Sequence, residues 1–166
     1  AYCLPQGVLA QLFREISAGR PGLLTHIGLG TFVDPRLGGG RVNAAAVDSI
    51  VELVTLAGRE WIFYPAVPIN VAFIRGSAID ELGNLSMHEE AARLSEFPVA
   101  AAARNTGGIV IAQAKRLVAA HSLPAREVVV PGHLVDYIVI DPDQTQTAVD
   151  AYNPAYSGQL RVPLDG

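Results

Sequence analysis

Apolar residues recur at intervals of three and four near the start of the chain, which predicts an amphipathic helix over residues 7–19. Polar side chains fill the intervening positions, and the apolar face consists of Leu9, Leu12, Phe13 and Ile16. Gly19 stands where a helix commonly ends, and Pro21 prevents its continuation. The first element is therefore expected to be a helix that buries one face.

Short apolar runs dominate the rest of the chain and predict strands. They cover residues 23–27, 51–56, 60–64, 69–74, 109–113, 127–130 and 134–140. Ala57-Gly58-Arg59 joins the second run to the third as a hairpin, and residues 80–84 have the composition of a turn. Residues 89–104 favour a helix that Pro98 divides in two. This alternation predicts one α/β domain over residues 1–166 with a mostly parallel or mixed sheet.

Composition narrows the class of protein. Half of the 166 residues are hydrophobic and 17% are charged, which excludes an intrinsically disordered chain. The net charge is −4 and the longest basic run is Lys115-Arg116, so nucleic acid is not an expected partner. No apolar run has the length of a membrane span and no signal peptide is evident, so we expect a cytoplasmic protein that binds no membrane.

Metal and disulfide chemistry are also not expected. Cys3 is the single cysteine, and no two of the four histidines stand at metal-ligand spacing.

His26 lies in an apolar run and is expected in the core. Glu89 and Glu90 are neighbours that point in different directions on a helix, so a solvated first turn is the expected place for them.

The glycine-rich segments suggest loops at strand ends without naming a ligand. Gly28-Leu29-Gly30 lacks the third glycine of a dinucleotide fingerprint, because that position is Val33. Gly38-Gly39-Gly40 is costly inside a helix, so a loop that is mobile or wraps a ligand is expected. From the residues alone, the prediction ends at an α/β domain with glycine-rich loops and no self-contained catalytic set.

Five strings in order carry a resemblance that goes further. They are Leu4-Pro5-Gln6-Gly7 and residues 28–36, 68–76, 80–84 and 152–158. Together they resemble the family I CoA-transferases, and among these the acetate and propionate enzymes related to the ketone-body 3-oxoacid enzymes. The resemblance implies a three-layer α/β domain, incomplete at its N-terminal side because the family's Gly-Gly-Phe-type loop is not among these residues.

The resemblance implies a ping-pong reaction in which a glutamate takes CoA from an acyl-CoA and passes it to a short carboxylate. Acyl-CoA is then a substrate, and no permanently bound cofactor is expected. In the family this glutamate belongs to a second half, and none of Glu81, Glu89 and Glu90 stands in its context. We therefore expect that this chain contains no catalytic residue and does not transfer CoA alone. We expect it to associate with the missing half or to form a homo-oligomer.

Four residues match substrate-contacting positions of the family. Gln6 matches a glutamine beside the catalytic glutamate that can donate to the oxyanion, with a bond to its own helical turn as the alternative. Gly28, Gly30 and Thr31 match a strand-end loop that lines the acyl pocket, with a plain tight turn as the alternative.

Two other functions stay open at this point. The chain could be a non-catalytic assembly or binding module that needs a partner half. It could also be a sugar-phosphate isomerase on a similar scaffold, which would need a basic phosphate pocket from Arg36 and Arg41.

Overall fold

A computed structural model of the chain describes residues 1–160, so the last six residues of the predicted single domain lie outside the description. The chain divides into two compact units, Ala1–Pro68 and a second that begins at Ile69. Each unit is described by itself. No helix within residues 1–160 has the length and apolar character needed to cross a membrane.

The first unit combines one helix with a three-stranded antiparallel sheet. Its elements are α1 (Gln6–Ser17), β1 (Gly22–Thr25), β2 (Glu52–Leu56) and β3 (Arg59–Pro65). The strands lie in the order β1-β3-β2. The predicted helix and the predicted hairpin are confirmed, whereas an antiparallel partner for β1 could not be inferred from its apolar pattern.

Helix α1 packs through part of the predicted apolar face. Leu12 and Ile16 are buried together with Val8, whereas Leu9 and Phe13 are only partly buried. After Ser17 the helix ends where expected, because the Gly19 and Arg20 amides donate back to carbonyls of its last turn. Burial of this face is what stabilises the helix in the unit.

The second unit is built on a five-stranded mixed sheet, which confirms the predicted α/β class and sheet type. Its elements are β4 (Val71–Asp80), β5 (Leu85–Ser86), α2 (Glu96–Asn105), β6 (Ile109–Val118), β7 (Val128–Val130) and β8 (Tyr137–Ile140). The strand order is β7-β5-β4-β6-β8. Strand β6 pairs in parallel with β4 and β8, while β5 pairs antiparallel with β4 and β7.

Helix α2 covers one face of this sheet with small side chains. Ala100 and Ala103 of the helix are fully buried against β4 and β6 residues such as Ala72 and Val110. The helix begins at Glu96, so the prediction of a helix from residue 89 is wrong. Pro98 does not divide it either, because it falls in the first turn, where the amide needs no partner within the helix.

Close backbone packing fixes the turn that follows β4. A methyl group on Gly132 would lie 1.9 Å from the Leu82 carbonyl oxygen. Asp80 closes the same turn, since its carboxylate accepts hydrogen bonds from the Leu82, Asn84 and His121 amides. The turn predicted over residues 80–84 is confirmed, and these contacts hold it in place.

Candidate functional site

The turn after β1 contains three of the four residues predicted to contact substrate. Thr31 closes the turn on Gly28, because its amide and its Oγ1 both donate to the Gly28 carbonyl, at 3.1 and 2.8 Å. Gly28 and Gly30 have φ angles of +106° and +70°, which residues with a Cβ rarely adopt. The backbone path of this turn therefore depends on both glycines.

Tyr64 of β3 packs against the turn that follows β1. Its side chain is fully buried and its hydroxyl donates to the Ile27 carbonyl at 2.8 Å. Burial raises the pKa of Tyr64, so the hydroxyl stays protonated and keeps this bond. A Cβ on Gly28 would lie 2.6 Å from the hydroxyl oxygen, whereas a Cβ on Gly30 would meet no atom within 4 Å. Gly28 thus faces the packed side of the turn and Gly30 its open side.

Asp34 holds the other end of this turn. The residue is buried, and its carboxylate accepts hydrogen bonds from the Gly30 amide at 2.9 Å and from the Arg36 amide at 3.0 Å. The Arg36 guanidinium adds two more bonds, from Nε and Nη2. The guanidinium and the Gly30 amide hold the pKa of Asp34 well below its usual range. The carboxylate is therefore charged at neutral pH and fixes the backbone from Gly30 to Arg36.

The arginines of this region are engaged by the protein itself. Arg36 binds Asp34 and also pairs with Glu60 at 3.0 Å, so two carboxylates neutralise its charge. Arg41 donates to the Gly38 carbonyl. A phosphate pocket for a sugar-phosphate isomerase needs uncompensated cations, so the pairing of Arg36 with two carboxylates disfavours that alternative.

The Gly38-Gly39-Gly40 run is packed, so the expectation that it is mobile is wrong, while its proposed contact with a ligand stays a prediction. Gly39 and Gly40 are buried. The Gly40 amide donates to the Phe32 carbonyl at 3.0 Å, and the Gly40 carbonyl accepts from the Cys3 amide at 2.8 Å. The run links the turn after β1 to the segment that leads into α1.

Gln6 is the first residue of α1 and is exposed. Pro5 precedes it, and no side chain caps this end of the helix. Within residues 1–160, the Gln6 carboxamide has no hydrogen-bond partner, which argues against the alternative that it bonds its own turn. The Gly40 bonds connect Cys3, three residues before Gln6, to Phe32, the residue after Thr31, but no direct contact joins Gln6 to the three turn residues within residues 1–160.

His26 lies outside the core, so its predicted burial is wrong. Its side chain is exposed beside β1, and its ring meets the edge of Trp61 at a centroid distance of 6.4 Å. The strand ends at Thr25, one residue before the histidine. The apolar run of residues 23–27 is thus longer than strand β1, and His26 lies in the part that is outside the strand.

The neighbouring acids of the second unit are ion-paired, so the prediction of a solvated helical turn is wrong for them. Glu90 is 8% exposed and meets Arg75 of β4 at 2.7 Å. Glu89 meets Arg116 of β6 at 2.8 Å. Burial raises the pKa of Glu89, but hydrogen bonding and charge from Arg116 outweigh it, so the pKa lies below its usual value.

His88 extends this polar cluster. Its Nε2 lies 2.8 Å from Arg116 Nη2 and its Nδ1 lies 2.7 Å from Ser86 Oγ. Sequence reasoning missed this cluster, since its arginines and acids lie far apart in the chain. The one signal was Arg75 directly after the apolar run of β4.

No group of three histidine, cysteine or acidic side chains within residues 1–160 has the arrangement of a metal site.

The third glutamate considered as a nucleophile, Glu81, accepts a hydrogen bond from the Ala120 amide at 3.1 Å. All three glutamates are therefore held by partners of this chain, as structural carboxylates are.

Comparison with known proteins identifies the family. The sequence model described as Coenzyme A transferase matches residues 1–141. The chain is 46% identical to the caffeate CoA-transferase of Acetobacterium woodii over 98% of its own length and 32% of that protein. It is 30% identical to the acetoacetyl-CoA:acetate/butyrate CoA transferase alpha subunit of Clostridium acetobutylicum, over 83% of this chain and 55% of that subunit.

A solved structure agrees with the fold. The acyl-CoA transferase YdiF of Escherichia coli O157:H7, in a thioester complex with CoA, matches with a TM-score of 0.93 and 38% identity. The match covers 99% of this chain and 34% of that one. The chain thus spans about a third of the length of the caffeate enzyme and of the YdiF chain. With a family match over residues 1–141, the chain belongs to the Coenzyme A transferase family.

Proposed function

We propose that this chain forms part of an acyl-CoA:carboxylate CoA-transferase that moves CoA between a short-chain acyl-CoA and a free carboxylate. The observation that carries the proposal is the family match over residues 1–141. The thioester complex of YdiF with CoA supports a covalent route. In such a route a glutamate carboxylate attacks the thioester carbonyl and expels the CoA thiolate, which leaves an acyl-glutamyl anhydride. The thiolate then attacks the glutamyl carbonyl of the anhydride, which releases the donor carboxylate and forms a glutamyl-CoA thioester. The acceptor carboxylate runs the same two steps in reverse, so that a new acyl-CoA leaves and the glutamate is restored.

The proposed contribution of this chain is to shape the acyl site. The free and exposed Gln6 carboxamide is suited to donate to the oxyanion of a tetrahedral intermediate. Gly30 presents the open side of its turn, where a substrate can approach the backbone closely. Gly28 and Thr31 keep that turn in shape.

The nucleophile is proposed to come from polypeptide outside these 166 residues. Glu89 and Glu90 are paired with arginines, and Glu81 accepts a backbone amide. None of the three is free to attack a thioester without losing its partner. The chain alone is therefore proposed to be inactive and to act with a second half that carries the glutamate, as an assembly module would.

The proposed setting is the cytoplasm, with acetate, propionate or a ketone-body acid as the carboxylate. The relatives named for acetate, butyrate and caffeate widen the acceptors worth testing. Association with a second half, or with another copy, belongs to the same proposal, and the relative named as an alpha subunit supports it.

The first test is intact mass spectrometry of the chain after incubation with acetyl-CoA or propionyl-CoA. No adduct is expected. An adduct mapped to Glu81, Glu89 or Glu90 would contradict the proposed origin of the nucleophile.

The second test grafts the chain into the caffeate CoA-transferase of Acetobacterium woodii in place of the aligned segment. The graft is expected to form a CoA adduct and to transfer CoA to acetate, propionate or caffeate. Gln6→Ala should lower kcat by about 10²–10³, as removal of an oxyanion donor does elsewhere. Gln11→Ala, at another exposed glutamine of α1, is the matched control and should leave kcat unchanged. If the graft folds and is active, and Gln6→Ala and Gln11→Ala have the same kcat, Gln6 is not part of the acyl site.

A further inference from the structure

Lysine is almost absent from this chain. Eleven of its 12 basic residues are arginine, and Lys115 is the single lysine. Lysine is ordinarily among the commonest residues of soluble proteins. The two cations differ in their chemistry, because a guanidinium keeps its proton whereas a lysine ammonium can lose one and become a nucleophile. The chain therefore carries most of its positive charge on groups that do not attack carbonyl carbons.

A lysine amine is the group that an acyl-CoA modifies without help from a catalyst. The lone pair of the neutral amine attacks the thioester carbonyl carbon, so that a C–N bond forms and the C–S bond breaks. CoA leaves as the thiol, with the proton that the nitrogen gives up. The product is an amide, and the positive charge of the lysine is lost. An accessible lysine in a protein that uses acyl-CoA would meet this reaction continually.

Lys115 lies in a confined place in β6. Its side chain is half-buried, and its Nζ lies 5.7 Å from the centre of the Tyr152 ring, within the range of a cation–π contact. Lys115 lines a cavity of about 10 Å³ together with residues that include Glu89, Gln144 and Tyr152. A cavity of this size holds at most one water molecule. The carbonyl group of a thioester, with its sulfur and acyl carbons, does not fit beside the amine.

Hydrogen bonds hold the Tyr152 segment in this place. Gln146 is 8% exposed, and its Nε2 donates to the Glu89 carbonyl at 2.6 Å and to the Asn153 carbonyl at 3.1 Å. Its Oε1 accepts from the Asn153 amide at 2.8 Å. The Tyr152 hydroxyl donates to Gln159 Oε1. The ring is therefore fixed on both sides, and the amine is uncovered only when this segment opens locally.

Exposed cations of the described chain provide the contrast. Arg59, Arg93 and Arg126 are all exposed, and each presents a guanidinium where a lysine would present an amine. Arginine thus stands at positions that a thioester can reach, while the one lysine stands at a position that it cannot.

We propose that Lys115 is a shielded amine and that this shielding, together with arginine at the exposed positions, protects the chain from acylation by acyl-CoA thioesters. The benefit of such protection rests on the proposed use of acyl-CoA as a substrate. The shielding itself rests on the contacts around β6 and is measured without any transfer of CoA.

The experiment measures the rate at which acetyl-CoA acetylates Lys115, by peptide mass spectrometry, in the folded chain and in guanidinium chloride. Because reaction requires a local opening, acetylation is expected to be at least about tenfold slower in the folded chain. Arg126→Lys is the matched control, since the lysine at this exposed position should react at the same rate in both states. Equal rates for Lys115 in the two states would overturn the proposal, and so would equal protection of both lysines.

A second pair of variants tests the tyrosine ring. Tyr152→Ala is expected to raise the acetylation rate of Lys115 in the folded chain, with the fold checked by circular dichroism. Tyr156→Ala is its matched control, because Tyr156 is 50% exposed and lies in the same segment, and it should leave the rate unchanged. An unchanged rate in Tyr152→Ala would overturn shielding by the ring.

Hydroxylamine distinguishes this test from the test of the nucleophile. An amide on Lys115 survives hydroxylamine, whereas a glutamyl thioester or anhydride is cleaved by it. A stable adduct formed rapidly at Lys115 in the folded chain would therefore contradict the shielding alone. A labile adduct on a glutamate would contradict the proposed origin of the nucleophile and leave the shielding intact.

Discussion

Gly28→Ala should destabilise the first unit far more than Gly30→Ala, although both glycines lie in the same turn with positive φ angles. At Gly28 the φ of +106° costs a residue with a Cβ about 1–3 kcal/mol. The new methyl group would also lie 2.6 Å from the Tyr64 hydroxyl oxygen. Displacing that hydroxyl leaves a buried group without its partner, which costs a further 1–3 kcal/mol, approximately.

Gly30→Ala is the matched control because its methyl group meets no atom within 4 Å. Only the φ penalty applies, about 1–2 kcal/mol. Tyr64→Phe separates the two contributions at Gly28, since it removes the oxygen that the methyl group would meet. In that background Gly28→Ala is expected to cost the φ penalty of about 1–3 kcal/mol together with a small shift of Ile62, whose Cδ1 would lie 3.1 Å from the methyl group.

The assay is urea unfolding followed by tryptophan fluorescence. Trp61 is the single tryptophan and lies in β3, so its emission reports on the first unit. With a urea m-value of about 1–2 kcal/mol/M for a unit this small, a loss of 2 kcal/mol moves the midpoint by at least about 1 M. The reasoning is refuted if Gly28→Ala costs the same with Tyr64 and with phenylalanine at that position, or no more than Gly30→Ala.

Three further predictions concern the second unit, and each is measured by urea unfolding followed by circular dichroism. Arg75→Met should cost about 1–3 kcal/mol, because it leaves Glu90 nearly buried without its cation while Arg75 itself is partly solvated. The pKa of Glu89 is lower in the folded chain than its ordinary value of about 4.5. The ion pair with Arg116 therefore stabilises the fold fully at a pH above 4.5, and this stabilisation is lost as the pH falls through the lower, folded-state pKa. The midpoint should therefore drop as the pH falls below about 4.5, and Arg116→Gln should make that drop smaller; an equal drop would contradict the pairing. Gly132→Ala should cost at least about 2 kcal/mol because its methyl group would lie 1.9 Å from a backbone carbonyl oxygen, and an unchanged midpoint would show that the two segments are free to separate.

Elements with local causes could be predicted from the sequence. Helix α1 follows from its own periodicity and from Gly19, and the β2–β3 hairpin follows from two apolar runs joined by a tight turn. The start of α2 could not be predicted, because the acids before it are drawn into ion pairs with arginines of β4 and β6. Those partners are distant in the chain and become neighbours only when the sheet forms.

The candidate site divides in the same way. The sequence predicted a loop at Gly28 and Gly30, because these glycines follow an apolar run that reads as a strand. Their need for glycine depends on Tyr64, which lies 36 residues later and reaches the turn through β1–β3 pairing. The roles of Gln6 and Thr31 toward a substrate stay predictions, since they rest on matching a family pattern.

The Asp34 carboxylate has a consequence for binding thermodynamics. It ties the Gly30 amide, the Arg36 amide and the Arg36 guanidinium to one buried anchor. A glycine-containing loop would ordinarily lose much conformational entropy when a ligand immobilises it. Here that loss occurs during folding, so a ligand arriving at this turn meets a preorganised backbone and binds without an ordering penalty from it.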